Sequence, residues 1–301
     1  MSVIMVVITG SLFFVQRKLI SKNIFYTANG NKVISESIKN LPLNIIMHII
    51  IFGIVAVAIL PQGFVIFSSF RRTSGPLFTQ GFSLDSYTRV FRTFTPLTNT
   101  FIFSIIAIAV IIVIVLSIVY VNLNKKDDST NKITGLIDFL LMIPMVIPGS
   151  VIGLSLILAF NTGPFRLVGT STILIIAFVV RRLPYTLRSC IAYAKQINPY
   201  INEAAQSLGS SQLKAFTKTI LIIMIPGIAS GAILSFISII NELNATIMLF
   251  TVRSRTMTIA IYQEIMRASY GTASALATIL IFFTVLAVLA ITKLRKDGNV
   301  L

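Results

Sequence analysis

Residues 98–122, TNTFIFSIIAIAVIIVIVLSIVYVN, run without one charged side chain. As a helix rising about 1.5 Å per residue, a run of this length outreaches a hydrocarbon core roughly 30 Å thick. Several other apolar runs approach the same length. Of the 301 residues, 55% are hydrophobic and 11% charged, against about 25% charged in a soluble domain. The sequence therefore predicts an all-α membrane protein that crosses the bilayer repeatedly.

About seven transmembrane helices are expected. Residues 1–16 read as a first helix and 17–42 as a basic linker. Residues 43–96 hold a second span, interrupted by Pro61, and an external loop in which Ser83 caps a short helix with Asp85 in its first turn. The remaining spans fall in 98–122, 135–160, 171–187, 227–250 and 272–292. Pro144 and Pro148-Gly149 break the fourth, and Arg181-Arg182 and Pro184 close the fifth. Residues 293–301 form a basic tail.

The formal charge of +16 would suggest nucleic acid in a soluble protein. In a membrane protein, basic residues collect in loops that stay in the cytoplasm. With the N-terminus outside, basic residues favour the inner segments by about two to one. No nucleic acid is expected as a partner. The single cysteine, Cys190, excludes an intrachain disulfide framework. The single histidine, His48, has no second histidine with which to share a metal, so no metal site is expected.

Residues 198–226 are the long amphipathic segment among apolar neighbours. Asn198 suits a helix cap and Pro199 the first helical position. Ile201, Ala204, Ala205 and Leu208 recur at helical spacing. Gly209 stands where a left-handed residue would end that helix. Ser210 or Ser211 then caps a second helix, and Pro226-Gly227 opens a span. Charge asymmetry places this helical hairpin in the cytoplasm.

Glu203-Ala204-Ala205 followed by Gly209 resembles the EAA signature of type I ABC importer permeases, the MetI-like fold. Isoleucine stands at position 222, where that family carries proline. The likeness extends over residues 41–292. LMIPMVIPGSVIGLSLIL (141–158) looks like the proline-broken span of permeases for ferric iron, thiamine, phosphonate and polyamines. NELNATIMLF, with Arg255-Thr256-Met257 and Ala260-Ile261-Tyr262, is most similar to the ferric iron branch. The resemblance implies that the last six helices form the permease core, in a transmembrane domain at 97–292. It implies that Glu203, Ala204, Ala205, Leu208 and Gly209 dock on an ATPase subunit. It also implies partners: ABC ATPase subunits, a second permease half or a homodimer mate, an external solute-binding protein, and membrane lipid. The first helix and its linker resemble the end of a first permease half, so the chain reads as a second half with that helix attached.

Small Ala204 and Ala205 admit a close surface, and Glu203 offers it a charge. A hairpin lying on the membrane surface and a DNA-binding helix-turn-helix are the competing readings. Glu242, between Asn241 and Asn244, reads as a charge in mid-span, where it costs at least about 2.5 kcal/mol. It is expected to face a translocation path or gate with Asn241, Asn244, Pro148 and Gly149, or else to join a buried hydrogen-bonded cluster. Arg181 and Arg182 read as surface anchors, together with Asp138.

The expected function is the membrane permease subunit of a binding-protein-dependent ABC importer for ferric iron, in a bacterial inner membrane. The chain has no phosphate-binding G-x-x-x-x-G-K-[ST] loop. It is expected to be no enzyme and to bind no cofactor, with ATP and Mg on the partner ATPase. Thiamine, phosphonate or polyamine are the rival substrates. An ion-coupled secondary transporter or channel is the rival of another class.

Overall fold

The computed structural model describes residues 41–123, 140–164, 166–194, 196–198 and 200–297. The expected first helix and the place of Asp138 lie outside these residues. Among the described residues four helices are long and apolar enough to cross a membrane, or five if one bent pair counts as a span.

Helix α1 (Leu41–Ser69) runs straight through Pro61. A two-stranded antiparallel hairpin follows, β1 (Arg71–Ser74) and β2 (Leu77–Phe82), turning at Gly75 with φ +59°. This hairpin falls within the segment expected to be a loop. Short α2 (Asp85–Arg92) comes next, and its Asp85 N–H donates to Ser83 Oγ at 3.0 Å. Helix α3 (Thr95–Leu123) carries the uncharged run.

The fourth span is broken rather than kinked. Helices α4 (Leu140–Val146) and α5 (Gly149–Phe160) meet at 116° across Ile147-Pro148. Proline disfavours helix at the residue before it and supplies no N–H of its own. The turn is sharp enough for a re-entrant segment.

Helix α6 (Ser171–Ala194) does not close at Arg181-Arg182 or Pro184, as expected, but continues two turns and more beyond them. Neighbours on both sides hold it, α3 on one and α8 on the other. Packing of this kind lets a membrane helix tolerate an internal proline. Helix α7 (Tyr200–Ser207) and the start of α8 form the amphipathic hairpin. Helix α8 (Gln212–Ile240) is continuous, with a π-helical stretch at Phe216–Ile220. Pro226 lies inside it and opens no new span. The segment expected to continue as a span to residue 250 instead breaks after Ile240. Short α9 (Thr246–Leu249), α10 (Met257–Met266) and α11 (Tyr270–Asp297) complete the chain.

The larger core joins α3, α6 and α8. Ala107, Ile111, Val115 and Val119 line one edge of α3 at four-residue spacing, the ridge by which helices pack on one another. They meet Leu174, Phe178 and Leu187 of α6 and Met224 of α8. A second cluster joins Ile240 of α8, Met257 and Ala260 of α10, and Leu276 and Leu280 of α11. The Asn99 amide ties the loop before α10 to α3 by donating to the carbonyls of Arg253 (2.8 Å) and Arg255 (3.0 Å).

Candidate functional site

The hairpin is closed by local chemistry. Asn198 Oδ1 accepts from the Tyr200 N–H at 3.0 Å, as an N-cap does. At the other end Gly209 has φ +87°, a conformation L side chains rarely adopt. Ser210 N–H reaches the Ala205 carbonyl (3.2 Å) and Gly209 N–H the Gln206 carbonyl (2.9 Å). These two bonds are the Schellman pair, which satisfies carbonyls a helix end would leave open. Ser211 takes the cap position of α8, but its side chain makes no capping bond.

The apolar stripe of α7 divides between two surroundings. Ile201 is half-buried against the larger core, and Ala205 is half-buried. Glu203, Ala204 and Gly209 are exposed, and Leu208 is 88% exposed. Tyr200, at 72% exposure, stands on the same short helix. The first arm of the hairpin thus presents one carboxylate, a small-residue surface and two large apolar groups, on a scaffold anchored by Ile201.

The second set of expected site residues assembles elsewhere. Glu242 lies in the irregular segment between α8 and α9, not within a span helix. It is 4% exposed. Its Oε1 pairs with Arg181 Nη1 and its Oε2 with Arg182 Nη2. Oε1 also accepts from the Ala245 N–H at 3.1 Å, and the Glu242 carbonyl accepts from the Thr246 and Thr258 hydroxyls at 2.9 Å each. The arginines expected to be surface anchors are therefore buried ion partners. A charge this deep needs an opposite charge, and Glu242 supplies it.

Gly149, the first residue of α5, is buried against this cluster. A Cβ there would collide with Arg181 Nη1 and lie 2.8 Å from Asn244 Cβ. One turn on, a Cβ at Gly153 would lie 2.8 Å from Met248 Cβ. Glycine is required at both places because α5 lies directly on the segment that carries Glu242. Pro148 is half-buried beside Gly149, while Asn241 and Asn244 are exposed. Asn241 turns to the other side, donating to the Ile237 carbonyl (2.8 Å) and reaching Thr284 Oγ1 of α11 (3.3 Å). Glu242, Asn244, Pro148 and Gly149 form one neighbourhood, and Asn241 faces away from it.

Sequence reasoning missed the partnership of Arg181 and Arg182 with Glu242. The signal was present. Two arginines and one glutamate, all in apolar surroundings, each call for an opposite charge.

Residues 129–296 match the family described as binding-protein-dependent transport system inner membrane component. The chain belongs to that family. Its members are components of the inner membrane. The ferric transport system permease protein FbpB of Actinobacillus pleuropneumoniae is 31% identical over 279 residues, which is 90% of this chain and 39% of that protein. Putative ferric transport system permease protein FbpB 1 of Haemophilus influenzae is 33% identical over 159 residues, 53% of this chain and 24% of that protein. The chain thus spans well under half the length of these relatives. Among solved structures, a bacterial ABC transporter involved in the import of the acidic polysaccharide alginate superposes with a TM-score of 0.62 at 15% identity. That match covers 86% of this chain and 98% of the other, and it shows a shared fold.

Proposed function

We propose that this chain is a membrane-spanning permease subunit of a binding-protein-dependent ABC importer whose cargo is ferric iron. The observation that carries the cargo is the likeness to a ferric transport permease along 90% of the chain. An external binding protein delivers the iron, and ABC ATPase subunits holding ATP and Mg drive its passage. One hairpin serves one ATPase subunit, so a second permease half or a second copy completes the pathway. The chain itself binds no cofactor.

The hairpin is the coupling element. It lies on the cytoplasmic side, with the C-terminus, while the N-terminus is outside. The basic excess of the expected inner segments supports this orientation even without Arg181 and Arg182, which are buried partners rather than loop charges. Glu203, Ala204, Ala205, Leu208 and Gly209 meet the ATPase, and Leu208 gives the contact an apolar anchor. Since α8 runs unbroken from the hairpin to Ile240, a push on the hairpin moves a helix that reaches the Glu242 cluster. The neighbourhood of Glu242, Asn244, Pro148 and Gly149 is the gate end of this lever, and Asn241 contributes from its α11 side.

Uptake of radiolabelled ferric iron by cells lacking and regaining the chain tests the cargo. Gly209→Val forces a β-branched residue into a left-handed conformation, at a cost of about 1–3 kcal/mol at that residue. Gly209→Val and Glu203→Lys are expected to abolish co-purification with the ATPase and iron uptake together. Intact association in both variants sinks the coupling role.

A further inference from the structure

Among the described residues, the Arg181–Glu242–Arg182 cluster sets two largely buried guanidinium groups, with side chains 11% and 14% exposed, against one buried carboxylate. It is not saturated. The Nε atoms of both arginines are buried without a hydrogen-bond partner among the described residues. Arg182 has further compensation, with its guanidinium 5.7 Å from the centroid of the Tyr185 ring. Such a cluster is a weak source of stability, because well-packed apolar side chains of similar volume often serve as well or better. What an ion cluster adds in some proteins is discrimination among arrangements, because the charges pair in one register.

Four parts of the chain meet here. Helix α6 contributes both arginines. The irregular segment between α8 and α9 contributes Glu242 and its bond to the Ala245 N–H. Helix α10 reaches the Glu242 carbonyl through Thr258. Helix α5 rests its first turn on Arg181 through Gly149.

Beside the apolar core, one stripe of the α6–α8 contact is built from small groups. Gly227 lies on the Tyr193 ring, and Gly231 lies on Thr186 and Ser189. The Ser235 hydroxyl pairs with Thr186 Oγ1 (2.8 Å) and donates to the Arg182 carbonyl (3.0 Å). Small residues at four-residue spacing bring two membrane helices close together. Along this stripe the small residues themselves offer no large side chain to fix one register.

We propose that Arg181 and Arg182 are positioning residues for transport, which act through Glu242 to set the register of α6 on α8 and to seat the first turn of α5. Neither arginine touches cargo in this role, which rests on the importer reading above. The hairpin end of α8 receives the push, and the charge cluster at its far end converts that push into a defined place for α5.

The test uses the full chain with its permease partner, binding protein and ATPase. Iron uptake is normalised to the amount of chain in the membrane, and ATP hydrolysed per iron is measured in proteoliposomes. The uncharged triple variant Arg181→Met, Arg182→Met, Glu242→Leu keeps volume and removes every charge. It is expected to reach the membrane in normal amount and still support ATP hydrolysis. Its maximal uptake is expected to fall by about tenfold or more, with an unchanged half-saturating concentration of loaded binding protein, as misplacement of a working part produces. ATP consumed per iron then rises in proportion. Arg182→Lys, which keeps the charge and gives up the planar fork, is expected to show the same split more mildly, and it decides the matter if the triple variant does not accumulate. Wild-type uptake by the triple variant, or by Arg182→Lys in that case, overturns the proposal. So does a loss confined to the half-saturating concentration, which would mark these residues as cargo ligands. An inactive wild-type chain sinks the importer reading instead, so the two failures are distinct.

Discussion

Helices α1 and α6 invert the rule that holds in water. Helix α1 is almost wholly apolar, yet no residue of its most apolar stretch is buried. Helix α6 carries Arg181, Arg182 and Arg188, yet Ile173, Leu174, Ala177, Phe178, Leu187 and Cys190 on it are buried. In lipid an exposed leucine is as well solvated as a packed one, so apolar character marks contact with the bilayer rather than the core. The mixed helix is central because its charges must be screened by protein. What holds α6 is close contact and ion pairing. Among the described residues α1 packs chiefly against α11, and the rest of its apolar surface is open to lipid.

The sharpest test of this contrast is removal of the central charge. Glu242→Ala leaves two buried guanidinium groups unpaired and is expected to cost about 3–5 kcal/mol, read as loss of folded chain from the membrane. A charge placed on the other helix comes next. Val57→Arg, at a position 72% exposed on α1, is expected to oppose insertion by about 2.5–3.5 kcal/mol, seen as a lower fraction of inserted chain. If α1 were packed in a polar interior rather than facing lipid, that penalty would vanish. Gly231→Leu tests the close contact of α6 with α8. Its Cβ would lie 2.8 Å from the Thr186 backbone, and the overpacking is expected to cost about 1–3 kcal/mol by thermal unfolding in detergent. Val57→Ala should change stability by less than about 0.5 kcal/mol. A large loss there would mean that α1 has a packed partner after all, and the contrast between the helices would fail.

The hairpin was legible in the sequence because local rules build it. The Asn198 cap and the left-handed Gly209 depend on residues within one or two turns, and both stand where the spacing put them. The same local rules failed at Pro61, Pro184 and Pro226, each of which lies inside a continuous helix. Packing and lipid re-satisfy what a proline removes, and neither is visible in a window of sequence. The β1–β2 hairpin went unread because its strands are short, and its second strand is mostly exposed. Glu242 was recognised as a charge needing a purpose. Its pairing with Arg182, 60 positions earlier, is a contact that no local periodicity encodes.

By itself, the sequence determined that the chain lives in a membrane, that residues 198–226 form an amphipathic helical hairpin, and where that hairpin turns. Run length, composition and backbone preference decide those things, and all act over short stretches of chain. Only the tertiary structure decided which helix is central, that the arginines of α6 hold Glu242, and that α5 begins on top of them. A uniformly apolar helix does not specify which of its faces meets protein. A buried charge specifies that it needs a partner without saying which one. Both choices are made by the energy of bringing distant segments together.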